Sequence, residues 1–125
     1  MDKLLNLFPK SRLMPAESRV YDLKARLDWG EPALTIIDVR DRALFNESHV
    51  MGAISMPIAE VVERAIASLE FERDIYVYAD IDEEAKTVAE RLRATGYEKV
   101  SVLRGGAAAW KAAGFPLEVV GAIVV

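Results

Sequence analysis

The chain has 125 residues, 52% of them apolar and 29% charged, with a formal net charge of −4. That describes one globular domain with a full core, and its acidity gives no electrostatic reason to bind nucleic acid. There is no cysteine and only one histidine. Disulfides, thiolate metal sites, thiol chemistry carried by this chain alone and a histidine-rich metal centre are therefore excluded.

No stretch approaches the ~20 apolar residues needed to span a membrane. The brief apolar patch Leu4–Phe8 is short for the apolar region of a signal peptide, so the expected location is cytoplasmic. No cofactor or metal is expected. Residues 1–16 form the expected N-terminal leader, with Pro9 and Pro15 breaking any long helix across it. Within it, Leu4, Leu5, Leu7 and Phe8 are spaced to form one amphipathic turn.

Residues 18–28 have a partial helical spacing at Val20, Leu23 and Leu27, with Ser18 as the expected cap and Gly30 and Pro32 as the stop. Leu34–Val39 is a short β-branched run, which favours a buried strand. A short helix is expected at 41–46 with Asp41 capping it. Gly52 and Pro57 then punctuate a loop around a brief strand, Ala53–Ser55. In Ile58–Leu69, the residues Ile58, Val61, Val62, Ala65, Ile66 and Leu69 fall on one stripe and predict a helix. Ile75–Tyr78 is a second buried strand. Glu83–Thr95 reads as a helix with Ala85, Val88, Ala89 and Leu92 inward and Gly96 ending it. Val100–Leu103 is a further strand, and Gly105–Ala113 a helix entered through a Gly-Gly turn. Alternating helices and short apolar strands predict a three-layer α/β domain with a mostly parallel sheet.

Three motifs then stand out. Ile36-Ile37-Asp38-Val39-Arg40 resembles the strand of rhodanese-like domains in which an aliphatic pair precedes Asp-Val-Arg. Ser48-His49-Val50-Met51-Gly52-Ala53-Ile54-Ser55-Met56-Pro57 resembles their Gly-His-Ile-Pro-Gly-Ala loop, which ends in proline. The segment from Leu103 to Pro116, with Gly105-Gly106, Trp110 and Gly114-Phe115-Pro116, resembles their closing motif. All three occur in the family's order and at its intervals. The resemblance implies a five-stranded, mostly parallel sheet flanked by helices, spanning residues 17–117, with 118–125 as an apolar C-terminal tail.

In active members of that family, a cysteine follows the strand matching Ile75–Tyr78, takes up sulfane sulfur as a persulfide and passes it on. Here the register puts Ala79 at the cysteine, Asp82 at a glycine and Glu84 at an arginine. An alanine methyl has no lone pair with which to take up sulfur. The loop Ala79-Asp80-Ile81-Asp82-Glu83-Glu84-Ala85 also places four carboxylates where an anionic donor would sit. The expected role is thus a catalytically inactive rhodanese-like domain acting as a protein-binding or regulatory module. The alternatives are sulfur transfer by family label, or a cysteine-free activity in the same pocket.

The acidic loop has two readings. Asp80 and Glu83 have the spacing of a capping box at a helix start, and the same carboxylates could meet a basic partner or a weakly held hard cation. Asp38, Arg40 and His49 are the other candidate binding residues. Asp38 and Arg40 could instead tie neighbouring loops together, and His49 could brace its own loop. Gly105-Gly106 suits a tight turn better than a phosphate cradle. Trp110 and Phe115 suit packing, and Trp29 could be an exposed anchor. The tail Leu117–Val125 is apolar and β-branched, and could add an edge strand, pack on the domain or join a second subunit as a homo-oligomer. The partner expected for the domain is a protein of unknown identity.

Overall fold

Three short runs rich in β-branched and aromatic residues make the middle of the sheet. The computed structural model of the chain describes residues 14–31 and 33–120. In chain order the elements are β1 (Glu17–Ser18), α1 (Val20–Asp28), β2 (Leu34–Asp38), α2 (Arg42–Glu47), β3 (His49–Val50) and β4 (Ile54–Ser55). They continue with α3 (Val61–Ser68), β5 (Asp74–Tyr78), α4 (Asp82–Thr95), β6 (Val100–Leu103), α5 (Gly106–Ala112) and β7 (Leu117–Glu118). Five strands form one sheet in the order β1-β6-β5-β2-β4, every pair parallel. β3 and β7 form a separate antiparallel ribbon. The amphipathic turn expected at Leu4–Phe8, Pro32 and the end of the tail, residues 121–125, lie outside the described residues.

Successive residues of a strand point to opposite faces, and the core divides accordingly. Ile37, Ile75, Val77, Val100 and Val102 pack on one face with Val61 and Ala65 of α3 and Ala85, Val88, Ala89 and Leu92 of α4. Ile36, Tyr76, Tyr78 and Leu103 pack on the other, with Val20 and Leu23 of α1 and Trp110 of α5. Helices on both faces of a parallel sheet make the three layers. A fully buried Leu92 or Ile75 contributes roughly 1.5–3 kcal/mol by leaving water.

Three local details differ from the sequence expectation. Ser18 does not cap α1. It lies in the edge strand β1, where its buried Oγ meets Ser101 Oγ at 2.6 Å. The helix starts instead at Arg19, whose backbone N–H donates to the Asp22 carboxylate at 3.1 Å. Helix α3 is shorter than its stripe. Ile58 N–H donates to Val39 O and Glu60 N–H to Pro57 O, which holds 58–60 as a turn against the sheet. The α-helix begins at Val61, and Ile66 emerges 52% exposed rather than inward. Finally, α4 is capped by Ile81, so Asp80 and Glu83 are out of register for a capping box and no side chain bonds the cap.

The start of the tail packs on the domain. Leu117 and Glu118 pair with Val50 and His49, and Met51 N–H donates to Pro116 O.

Candidate functional site

Strands β2 and β5 run in register up to Asp38 opposite Tyr78, so the chain leaves both at the same level. Val39 N–H then donates to Tyr78 O at 3.0 Å, which sets the segment after β2 beside the segment after β5. Met56 N–H donates to Asp38 O and Ile58 N–H to Val39 O, bringing 57–59 to the same place. Between these three segments opens a groove of about 400 Å³, lined by Val39, Arg40, Asp41, Pro57, Ile58, Ala59, Asp80 and Glu84. It sits outside the carboxyl ends of parallel strands, where open α/β sheets bind ligands.

Asp38 is fully buried beneath this groove. Its carboxylate accepts the Arg40 backbone N–H at 2.9 Å, Nη2 at 2.7 Å and Nε at 3.1 Å. Arg40 Nη2 also donates to Ser48 O at 2.7 Å, and the guanidinium lies 5.5 Å from the centroid of the Tyr78 ring. Only 10% of the Arg40 side chain is exposed. Burial alone would lower its pKa, but the hydrogen bonds and charge of Asp38 outweigh that and leave it raised. Burial, then the Asp38 charge, push the Tyr78 phenol far up, so it stays protonated while its oxygen accepts the Val50 N–H at 3.0 Å. Asp38 and Arg40 therefore tie β2, β5 and the loop before β3 together.

Ala79 opens the loop after the central strand. It is 6% exposed, and its methyl belongs to the core under α3 and α4. Its carbonyl lies only 3.0 Å from where a Cβ on Gly106 would stand, and Tyr78 Cδ1 is at 3.2 Å from that point. Gly106 also holds φ +52°, so a side chain there would be both strained and crowded. The Gly-Gly turn thus serves close packing.

The acidic residues of the loop divide. Asp82 turns away from the groove, and its carboxylate accepts the Gly105 N–H at 3.1 Å. Asp80 and Glu84 line the groove, while Glu83 is exposed without lining it. Ile81, 55% exposed, lies between Asp80 and Asp82 in the chain. Ala85 is buried in the core.

His49 stands apart from this mouth. Its ring stacks on Phe45 at 3.7 Å and 7°, and Nδ1–H donates to Phe45 O at 2.8 Å. Nε2 faces Glu118 Oε1 at 3.4 Å, and the same oxygen accepts the Gly52 N–H at 2.9 Å. Its contacts brace the loop and the β3–β7 ribbon.

Of the residues nominated from sequence, the groove collects Arg40, Asp80 and Glu84. Asp38 lies beneath it, and neither His49 nor Asp82 lines it. Sequence reasoning missed Asp41 and the apolar wall of Val39, Pro57, Ile58 and Ala59. The signal for Asp41 was its place directly after a strand that pairs in register with β5. Among the described residues, no cluster of three or more potential ligands is placed to hold a metal ion.

A parallel five-stranded sheet flanked by helices, whose central strand runs into a short loop and a helix, defines a three-layer α/β domain, and here that loop begins with Ala79. A model of the rhodanese-like domain matches residues 20–113, and the chain belongs to that family. Among solved structures, a crystal structure of the Alr3790 protein from Anabaena sp. is 54% identical with TM-score 0.81, over 83% of this chain and 93% of that one. An HTH-type transcriptional regulator of Mycobacterium tuberculosis is 34% identical over 101 residues, which are 78% of this chain and 42% of the regulator. The thiosulfate sulfurtransferase GlpE of Coxiella burnetii is 30% identical over 79 residues, 63% of this chain and 73% of the enzyme. The chain spans less than half the length of the mycobacterial regulator.

Proposed function

We propose that this chain is a catalytically silent rhodanese-like domain that works in the cytoplasm as a protein-binding or regulatory module. The observation that carries the reading is Ala79, a core methyl at the position where the family places its nucleophile. Sulfur transfer needs a polarisable thiolate, and the chain has no cysteine to supply one. The groove beside it carries the carboxylates of Asp41, Asp80 and Glu84, which repel a thiosulfate-like donor. Likeness to part of a transcriptional regulator supports a regulatory role. The competing reading, sulfur transfer or a cysteine-free reaction in the same groove, draws on likeness to a thiosulfate sulfurtransferase.

The test is thiosulfate-to-cyanide transfer by the purified chain. Thiocyanate formation is expected to match a heat-killed control, and turnover above it would overturn the reading. The Ala79→Cys variant is expected to stay at background as well. Its thiol would sit in apolar surroundings next to carboxylates, and both raise a thiol pKa and suppress the thiolate. Robust transfer by that single variant would show that the loop charges matter less than argued. For the binding role, affinity capture from native lysate should retain a protein on the wild type that Asp80→Asn/Glu84→Gln retains poorly. Retention of nothing by either would count against a binding module.

A further inference from the structure

We infer that the groove between the segments after β2 and β5 is a docking site for an arginine- or lysine-bearing peptide segment of a partner protein, a deepening that rests on the non-catalytic reading above. The groove combines two features. Its wall is apolar, formed by Val39, Pro57 and Ile58, and its rim carries three carboxylates, Asp41, Asp80 and Glu84. Among the described residues, no cation lies within ion-pair distance of any of the three. Of the cations around it, Arg40 pairs with buried Asp38 and also feels the Asp80 charge, Arg42 pairs with Glu60 at 2.7 Å, and Arg91 reaches only the Ile58 carbonyl at 3.5 Å.

The occupant follows from that combination. A long cationic side chain lays its methylenes on apolar surface and keeps its charged head at a polar rim. A volume of about 400 Å³ is room for one or two such side chains. The carboxylates come from two separate segments, Asp41 after β2 and Asp80 with Glu84 after β5, and do not converge as a metal-ligand cluster, so their field suits a spread guanidinium or a mobile ammonium better than a point cation. In relatives with a thiol the loop serves an anionic donor, and here the rim charge selects the opposite sign of ligand.

The probe is a fluorescein-labelled peptide of alternating arginine and leucine, titrated with the full chain and followed by anisotropy at about 50 mM and about 300 mM salt. The expected result is saturable binding that weakens with salt and falls roughly fivefold to tenfold in Asp80→Asn/Glu84→Gln. The control, Glu72→Gln/Glu98→Gln, removes the same charge around another surface hollow and should change affinity less than about twofold. A peptide with glycine in place of leucine should bind more weakly, and one with glutamate in place of arginine should not bind. Equal losses in both charge variants, or equal binding of the arginine and glutamate peptides, would overturn the proposal. Either failure would leave the non-catalytic reading standing, whereas sulfur transfer by the wild type would remove that reading whatever the peptide does.

Discussion

Replacing Asp38 with alanine is expected to cost the domain about 3–5 kcal/mol, seen as a fall in melting temperature of about 10–20 °C. The carboxylate is fully buried and accepts the Arg40 side chain and backbone N–H. Removing it leaves a guanidinium, nine-tenths covered, with the Ser48 carbonyl, the Tyr78 ring and the more distant Asp80 charge but no carboxylate in contact. An unpaired buried charge is far costlier than an absent pair, which gives the prediction a second arm. Asp38→Ala/Arg40→Leu should recover most of the loss. Melting curves of both variants check this, and a single variant as stable as the wild type would show that the pair bears no weight. The groove should change with the single variant too, because Arg40, which lines it, loses its anchor.

Trp110→Ala is expected to cost about as much, roughly 3–5 kcal/mol. Trp110 is fully buried, meets Phe115 edge-to-face at 5.0 Å and donates its indole N–H to Pro116 O at 2.7 Å. That bond fixes the turn from which β7 departs to pair with β3. In urea the midpoint should fall by about 2 M. Trp110→Phe keeps the ring packing and should lose much less. Fluorescence gives an independent check. Trp29 is 83% exposed, so the shielded part of the native emission comes from Trp110 and should vanish in Trp110→Ala. A midpoint unchanged from wild type would refute the packing account.

The strands and helices that carry the sheet were visible in the sequence because burial imposes a period. β2, β5 and β6 are nearly continuous apolar runs, as strands covered on both faces must be. The inward face of α4 followed from Ala85, Val88, Ala89 and Leu92, all of which are buried. β1 stayed hidden because two residues make no pattern, and Ser18 resembles a helix cap as well as a strand residue. The exposure of Ile66 was hidden because it depends on where the helix begins, and that is set by bonds to Val39 O and Pro57 O. At the site, the loss of the nucleophile could be read from Ala79 directly. Which carboxylates share the groove could not, because Asp41 and Asp80 are far apart in sequence and meet only through the β2–β5 register. Likewise, nothing local to Asp82 announces that its partner is the Gly105 amide.

The bond from Asp82 to Gly105 has a kinetic consequence. It pins the loop after β5 to the turn before α5, so the rim is shaped before any ligand arrives. A loop already ordered loses little conformational entropy on binding, and the ordering cost then falls on the ligand alone. Ligands of such a mouth would meet it by direct encounter rather than by waiting for a rare open form. Their association rates would cluster and follow ionic strength, and the differences between them would lie in how long each stays. Asp82→Ala would loosen the rim without altering a residue that lines it, and the signature would be slower association with the groove's own contacts intact.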